Sequence, residues 1–196
     1  MLIDWSVVIE HCPNITGIIH AGGHTGEEAK VYGDIPCKWV ECDPILAQGL
    51  RDKGLDVYEF AASDKAGFVN FNQAYFRATS SLLKPNLNAK RRADTATENV
   101  ITVYGDTIRG IQEPKYNMLN LDIQGFELNA LRGTDLTQID YVYTEIHKDV
   151  ETYYECAQLW EIQEYLTDFV MVEIALTKYM WGDAVFVRKS LIDNHE

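Results

Sequence analysis

The sequence lacks long apolar runs and an excess of positive charge, and each absence excludes a class of protein. No stretch approaches 18 uncharged apolar residues, so we expect no transmembrane helix. The segment before Pro13 carries Asp4 and Glu10 and has no basic start followed by an apolar stretch, which argues against a signal peptide. With 17 Lys and Arg against 30 Asp and Glu, the formal net charge is −13, so duplex nucleic acid and anionic lipid are not expected partners.

Cysteine is also scarce, and its spacing excludes two kinds of site. The four cysteines form no CxxC pair and no zinc-ligand spacing, so we predict neither a redox motif nor a metal centre from them. They lie mostly in or beside apolar runs, as small buried side chains do. This usage is typical of a reducing compartment, and we expect a cytoplasmic protein. The four are Cys12, Cys37, Cys42 and Cys156.

The composition is that of an ordinary globular protein. The chain has 196 residues, of which 46% are hydrophobic and 24% charged. This length and balance predict a single domain over residues 1–196, with a core from about residue 15 to 188. Short apolar runs alternate with helical patterns, which is typical of βαβ units and a parallel sheet.

The expected elements follow from apolar runs and from glycine and proline boundaries. Strands are predicted at Thr16–Ala21, Cys37–Glu41, Val57–Phe60, Gly67–Phe71, Val100–Val103, Tyr116–Asp122, Ile139–Ile146, Phe169–Ala175 and Ala184–Arg188. Helices are predicted at Glu27–Tyr32, Pro44–Lys53, Phe126–Leu131 and Tyr154–Leu166. The last two strands, joined through Gly182 and Asp183, are expected to form an antiparallel pair, and the Gly67 strand to lie outside the parallel core.

The middle of the chain, residues 73–99, shows little periodicity. It contains Thr79-Ser-Ser-Leu-Leu83 and four basic residues. A long irregular segment inside a compact domain more often has a function than not. We interpret it as an acceptor-side loop or lid, with a plain solvated loop as the alternative. The basic residues are Lys84, Lys90, Arg91 and Arg92.

Polar groups follow every predicted parallel strand. Because ligands collect at the carboxyl ends of such strands, these groups are candidate site residues. They are His20 with Gly22, Gly23 and His24 after the first strand, Glu41 and Asp43 after the second, Ser63 after the third, Asp122 after the Tyr116 strand, and Glu145 and His147 at the end of the Ile139 strand.

The glycine loop and Glu41 together indicate a nucleoside ligand. Gly22 and Gly23 permit a tight turn and close approach of a ligand to the backbone, although a plain strand-to-helix turn would also use them. Glu41, 19 residues after Gly22, is placed to accept hydrogen bonds from two ribose hydroxyls. Such a charged contact contributes about 1.5–3 kcal/mol.

Two nucleoside ligands fit this arrangement unequally. A dinucleotide needs G-x-G-x-x-G, and here position 20 is His and the next helix begins with Glu27 and Glu28, which would repel a pyrophosphate. S-adenosyl-L-methionine has no phosphate and a cationic sulfonium, which an acidic pocket suits. The terminal antiparallel pair also matches the seven-stranded methyltransferase sheet better than a dehydrogenase.

Five segments in this order resemble the FkbM family of methyltransferases over about residues 15 to 188. They are Ile18-Ile-His-Ala-Gly-Gly-His-Thr-Gly-Glu-Glu28, Trp39-Val-Glu-Cys-Asp-Pro44, Thr79-Ser-Ser-Leu-Leu83, Leu121-Asp-Ile-Gln-Gly-Phe-Glu127 with Leu131-Arg-Gly133, and Tyr143-Thr-Glu145. The Asp122-x-Gln-Gly-x-Glu127 stretch is the most specific element. The family's usual acidic residue at the end of strand one is His20 here.

The resemblance implies a Rossmann-like, seven-stranded class I methyltransferase sheet with an antiparallel C-terminal strand pair and helices on both faces. It also implies transfer of a methyl group from S-adenosyl-L-methionine to a hydroxyl of a carbohydrate, glycan or similar small molecule. Two other classes stay open: a catalytically silent binder of a glycan or nucleoside, which His20 keeps open, and a nicotinamide oxidoreductase, for which no pyrophosphate loop is found.

We assign roles to the strand-end residues accordingly. His20, Gly22, Gly23, His24, Glu41, Asp43, Ser63 and Asp122 are assigned to the cofactor, and Ser80, Ser81 and Glu145 to the acceptor. His20 is equally consistent with a packed strand end, and Asp122 with a cap of the following helix. Glu127 is expected to support that helix rather than touch substrate.

A sugar hydroxyl must lose its proton, so a general base is expected near the transferred methyl group. His147 and Asp122 are the two catalytic candidates, with a surface histidine as the alternative interpretation of His147. We assign no metal ligands, although Mg²⁺ held by Asp122, Glu145 and His147 is a further alternative.

Overall fold

The computed structural model describes residues 1–88 and 95–192. Its strands are β1 Ile18–Ala21, β2 Cys37–Val40, β3 Asp56–Tyr58, β4 Ala61–Ala62, β5 Gly67–Ala74, β6 Thr97–Asp106, β7 Met118–Leu121, β8 Tyr141–His147, β9 Phe169–Leu176 and β10 Trp181–Arg188. Its α-helices are α1 Trp5–His11, α2 Ala29–Tyr32, α3 Pro44–Asp52, α4 Glu127–Arg132, α5 Leu159–Tyr165 and α6 Lys189–Ile192. Short 3₁₀ turns lie at Arg77–Thr79, Ile108–Ile111 and Leu136–Gln138.

Seven strands form the main sheet in the order β3-β2-β1-β7-β8-β10-β9. Neighbours from β3 to β8 are parallel, and β10 runs antiparallel to both β8 and β9. This is the arrangement of the class I methyltransferase sheet, so the predicted fold class is confirmed. The chain leaves β1 toward β2 and later returns to β7 on the opposite side, which places a topological switch point between β1 and β7.

Helices cover both faces of the sheet, as expected. Side chains alternate along each strand, so Ile18 packs with the cluster that contains α1, α2 and α3, whereas Ile19 packs with the cluster that contains α4 and α5. The central strands β1 and β7 are buried along their whole length. A sheet buried on both faces fixes the position of the loops at its carboxyl edge.

A second sheet has the order β4-β6-β5 and was only partly anticipated. The Gly67 strand does lie outside the main sheet, but it reaches Ala74, and its partner β6 begins at Thr97 rather than Val100. Helix α1 was not predicted at all. Asp4 caps this helix, because its side chain accepts a hydrogen bond from the Ser6 N–H.

Two predicted helices begin later than expected. The helix predicted from Tyr154 begins at Leu159, since Glu155 has a positive φ of 64° and Gln158 forms a capping box with Glu161. Likewise the helix predicted from Glu27 begins at Ala29.

The described part of the middle segment is tied to the rest of the structure. The Ser81 hydroxyl donates to the Gln124 carbonyl at 2.8 Å, Asn72 Nδ2 donates to the Leu83 carbonyl at 3.0 Å, and the Tyr153 hydroxyl donates to the Thr79 carbonyl at 2.8 Å. Three of its basic residues lie outside the described residues; these are Lys90, Arg91 and Arg92.

Two sequence expectations concern compartment and membrane. All four cysteines are unpaired. Within residues 1–88 and 95–192, no helix has the length and apolar character that crossing a bilayer requires.

Candidate active site

A cavity of about 230 Å³ lies at the carboxyl ends of β1, β2 and β7, at the switch point of the sheet. The residues that line it are Gly22, His24, Thr25, Glu27, Glu28, Val40, Glu41, Cys42, Leu46, Phe60, Ala61, Ala62, Phe71, Arg77, Ala78, Ser80, Leu82, Asp122, Ile123, Gln124 and Phe126. The structure therefore brings Gly22, His24, Glu41, Ser80 and Asp122 together, as the sequence predicts.

The glycine loop follows β1 and is shaped by contacts within the chain. Gly22 has φ +91°, and a Cβ there would overlap the backbone carbonyl oxygen of Asp122. A Cβ on Gly23 would lie 2.8 Å from Leu50 Cδ1, and Gly23 is not among the residues that line the cavity. Gly22 lines the cavity and also makes room for the Asp122 backbone, whereas Gly23 makes room for Leu50 and is corrected to a packing residue.

Glu41 joins the loops that follow β1 and β2. Its Oε2 accepts the His24 N–H and its Oε1 accepts the Asp43 N–H, each at 2.8 Å. Burial raises the pKa of the Glu41 carboxyl to about 7, against these two hydrogen bonds, which lower it. Each carboxylate oxygen has a second lone pair, so Glu41 can still accept hydrogen bonds from a ligand in the cavity.

Asp122 follows β7 and is exposed to the cavity. Its Oδ1 accepts a hydrogen bond from Gln124 Nε2 at 2.7 Å, which lowers the pKa of the carboxyl, but desolvation by the surrounding protein outweighs this and raises the pKa. The residue that precedes α4 is Phe126, and no side chain caps that helix. Asp122 therefore faces the cavity rather than serving as the alternative helix cap.

Gln124 and Glu127 hold the loop that carries Asp122 in place through hydrogen bonds. Gln124 adopts φ +57°, and its Nε2 donates to both Asp122 Oδ1 and Glu145 Oε2 at 2.7 Å. Glu127 Oε1 accepts the N–H groups of Ile123 and Gly125 at 3.1 and 3.0 Å. Burial raises the pKa of the Glu127 carboxyl to about 8. Glu127 is thus a supporting residue, though of this loop more than of the helix.

His20 is corrected from a cofactor residue to a core residue. It is 2% exposed, stacks on Trp39 at 4.7 Å between ring centroids, and does not line the cavity. Tyr32 Oη accepts a hydrogen bond from Asn120 Nδ2 at 2.6 Å and lies within hydrogen-bond distance of His20 Nδ1, at 2.9 Å. Burial lowers the pKa of His20 to about 3, and the neutral ring also hydrogen-bonds the Gly22 backbone.

Asp43 and Ser63 are also displaced from the assigned cofactor role, since neither lines the cavity. Asp43 caps α3 by accepting the Ile45 N–H, and its other oxygen accepts from Gln73 Nε2 at 2.7 Å. The Ser63 side chain is buried and hydrogen-bonds Asp64 at 3.2 Å. Asp43 follows β2 and Ser63 follows β4 of the smaller sheet, and both side chains are used by the fold.

The acceptor-side assignments divide in the same way. Ser80 lines the cavity, whereas Ser81 and Glu145 are buried beside Gln124 and support it from outside the cavity. His147 is 1% exposed and packs edge-to-face on Tyr153 at 6.3 Å. It is neither a surface histidine nor a residue that lines the cavity, which corrects its assignment as the base.

Residues that the sequence analysis missed contribute much of the cavity wall. Arg77 and Ala78 come from a 3₁₀ turn, Phe60 directly precedes β4, and Phe71 lies within β5. The only signal for Arg77 was its position two residues before the Thr79-Ser-Ser segment. Within the described ranges, no group of three or more His, Cys, Asp or Glu side chains is arranged to hold a metal ion, and Asp122, Glu145 and His147 therefore do not form one.

No family model matches the chain. No curated protein matches it. Among solved structures, it is similar to the magnesium protoporphyrin IX methyltransferase of Synechocystis PCC 6803, crystallised with bound SAH, with 8% identity, a TM-score of 0.47, and coverage of 93% of this chain and 80% of that one. This likeness concerns the fold alone. The resemblance to the FkbM family stays a prediction.

Proposed function

We propose that the chain is an S-adenosyl-L-methionine-dependent O-methyltransferase that acts on a hydroxyl of a carbohydrate or similar small molecule. The observation that carries this proposal is Glu41, a buried carboxyl at the end of β2 that lines the cavity and is fixed by the His24 N–H of the glycine loop. A carboxylate in this position suits the two hydroxyls of a ribose.

The side chains that line the cavity suit both ends of this cofactor, the nucleoside and the amino-acid part. Leu46, Phe60 and Phe71 offer an apolar wall for a nucleobase, and Glu28 with Asp122 offers negative charge for a sulfonium and an ammonium group. When bound, S-adenosyl-L-methionine supplies an electrophilic methyl group. Helix α2 has four residues and follows Glu27 and Glu28, which both line the cavity, so this helix offers no pyrophosphate site for a dinucleotide.

Asp122 is the residue best placed to act on an acceptor hydroxyl. Its carboxylate is exposed in the cavity and its orientation is fixed by Gln124. The protein around it raises its pKa, which makes it a stronger base than an aspartate in water. We assign it to receive the hydroxyl proton while the cavity holds the acceptor oxygen in line with the methyl group.

A carbohydrate-type acceptor is supported by aromatic side chains near the cavity. Tyr75 and Phe76 are exposed and directly precede the turn that carries Arg77, Ala78 and Ser80 along the cavity wall. Exposed rings of this kind present apolar faces that suit the C–H faces of sugars.

Calorimetric titration of the wild-type chain with S-adenosylhomocysteine, NAD and NADP tests the function. We expect S-adenosylhomocysteine to bind and the two dinucleotides not to bind. Methyl transfer from labelled S-adenosyl-L-methionine to a panel of sugars and phenols then separates an enzyme from a silent binder. Binding of NAD without binding of S-adenosylhomocysteine would reject the proposal.

Cofactor binding is expected to release a proton at pH values just below 7. Ribose hydroxyls that donate to Glu41 favour its ionised form and lower its pKa from about 7, so affinity for S-adenosylhomocysteine rises with pH up to about 7 and then levels. Titration in buffers of different ionisation enthalpy measures this release. Glu41→Gln should abolish the release and weaken binding by about 1.5–3 kcal/mol. Proton uptake by the wild type would show that Glu41 does not contact the ligand as proposed.

A further inference from the structure

Arg77 is a positively charged residue in the wall of the cavity, and its surroundings bear on how a nucleobase is recognised there. Arg77 lies in the 3₁₀ turn Arg77–Thr79 and lines the cavity. Among the described residues of the cavity wall it is the only Lys or Arg, whereas four carboxylate residues line the same cavity. These are Glu27, Glu28, Glu41 and Asp122.

The charge of Arg77 is already balanced by the protein. Its Nη1 lies 3.4 Å from Asp43 Oδ2 and its Nη2 lies 3.5 Å from Glu98 Oε2. Asp43 is itself fixed, because it caps α3 and accepts from Gln73. A guanidinium held between two carboxylates has little need of an anionic ligand, so a phosphate or carboxylate on the acceptor is not what this residue is built to bind.

The N–H groups of a guanidinium lie in its plane, so the two ion pairs use the edge of the Arg77 group, which also lines the cavity. A planar guanidinium stacks well on aromatic and heteroaromatic rings. Asp43 is joined to Glu41 by the hydrogen bond from its own N–H, so the anchored end of Arg77 lies beside the residue assigned to the ribose. The apolar residues Leu46, Phe60 and Phe71 line the same cavity.

We propose that Arg77 stacks on the nucleobase of the bound nucleoside, with Asp43 and Glu98 holding the plane of its guanidinium in position. This inference rests on the proposed function, because it takes the ligand to be an adenosine derivative. Arg77 is then a binding residue for the heterocycle and makes no contact with the amino-acid part of the cofactor.

The test compares S-adenosylhomocysteine with adenosine, which lacks the amino-acid part. Arg77→Lys keeps the positive charge but removes the planar guanidinium. Arg77→Gln removes both the charge and the guanidinium. Arg51→Lys serves as the matched control, since Arg51 pairs with the exposed Glu59 and does not line the cavity. Affinities are measured by calorimetry, and by competition for adenosine, after thermal melting has shown that each variant is folded.

We expect both Arg77 variants to bind S-adenosylhomocysteine and adenosine about three- to tenfold more weakly, by the same factor for the two ligands, with Arg51→Lys unchanged. Wild-type affinity in Arg77→Lys with a loss in Arg77→Gln would show that only charge matters and would overturn the stacking. A loss for S-adenosylhomocysteine but not for adenosine would overturn it as well, because Arg77 would then contact the amino-acid part. Failure of the wild type to bind S-adenosylhomocysteine would instead reject the proposed function.

Discussion

Replacing Gly22 by alanine is expected to lower the free energy of unfolding by about 2–5 kcal/mol. The glycine has φ +91°, and the new Cβ would overlap the Asp122 carbonyl oxygen, which belongs to the backbone and cannot rotate away. A loss of this size is a large part of the roughly 5–15 kcal/mol that stabilises a typical domain. Urea unfolding of the ligand-free protein, followed by circular dichroism, measures it.

Gly54→Ala provides the control for this substitution. Gly54 also has a positive φ, of +79°, but a Cβ there would meet no atom within 4 Å. It should cost only the backbone strain of about 1–2 kcal/mol. Equal losses in the two variants would mean that the close contact between the Gly22 and Asp122 loops does not limit which residue position 22 accepts.

The sequence was sufficient to predict the main sheet because its strands are short, continuous apolar runs bounded by glycine, proline or acidic residues. Ile18–Ala21 and Met118–Leu121 are buried on both faces, and such strands leave a strong local signal. The smaller sheet was harder to predict, because β5 and β6 expose residues such as Phe68 and Tyr104 and their pairing spans the irregular middle segment. Its register depends on contacts that no local pattern records.

The positions of site residues could be predicted better than their roles. Every assigned residue from β1, β2, β7 and β8 does lie at the carboxyl edge, since that follows from the strands alone. Whether a side chain then faces the cavity depends on its partners. His20 is drawn into the core by Tyr32 and Trp39, which are distant in sequence and give no signal beside His20 itself.

Glu41 shows how one residue can serve both the fold and the ligand. By accepting the His24 and Asp43 N–H groups, it fixes two loops before any ligand arrives. Its substitution should therefore lower the stability of the ligand-free protein as well as the affinity. A site assembled in this way is already ordered in the absence of ligand, which reduces the entropic cost of binding.

Asp122→Asn is expected to lower kcat by about 10²–10⁴-fold, because the amide has nearly the same shape but cannot accept the proton of the acceptor hydroxyl. The oxygen of the new amide would still accept the Gln124 Nε2 hydrogen, so the loop keeps its support. The affinity for S-adenosylhomocysteine, whose sulfur is uncharged, should change by less than about tenfold. The rate is measured as transfer from labelled S-adenosyl-L-methionine to the best acceptor in the panel.

The pH dependence distinguishes Asp122 from His147, the other residue that the sequence offered as the base. Since the pKa of Asp122 is raised, the wild-type rate should increase with pH around a pKa above that of an ordinary aspartate. This ascending limb of the pH–rate profile should vanish in Asp122→Asn. His147→Gln should retain the limb even if it lowers stability, because His147 is buried against Tyr153 and does not line the cavity. Loss of the limb in His147→Gln alone would return the role to the histidine. An unchanged kcat in Asp122→Asn would mean that positioning of the acceptor, without a protein base, accounts for the catalysis.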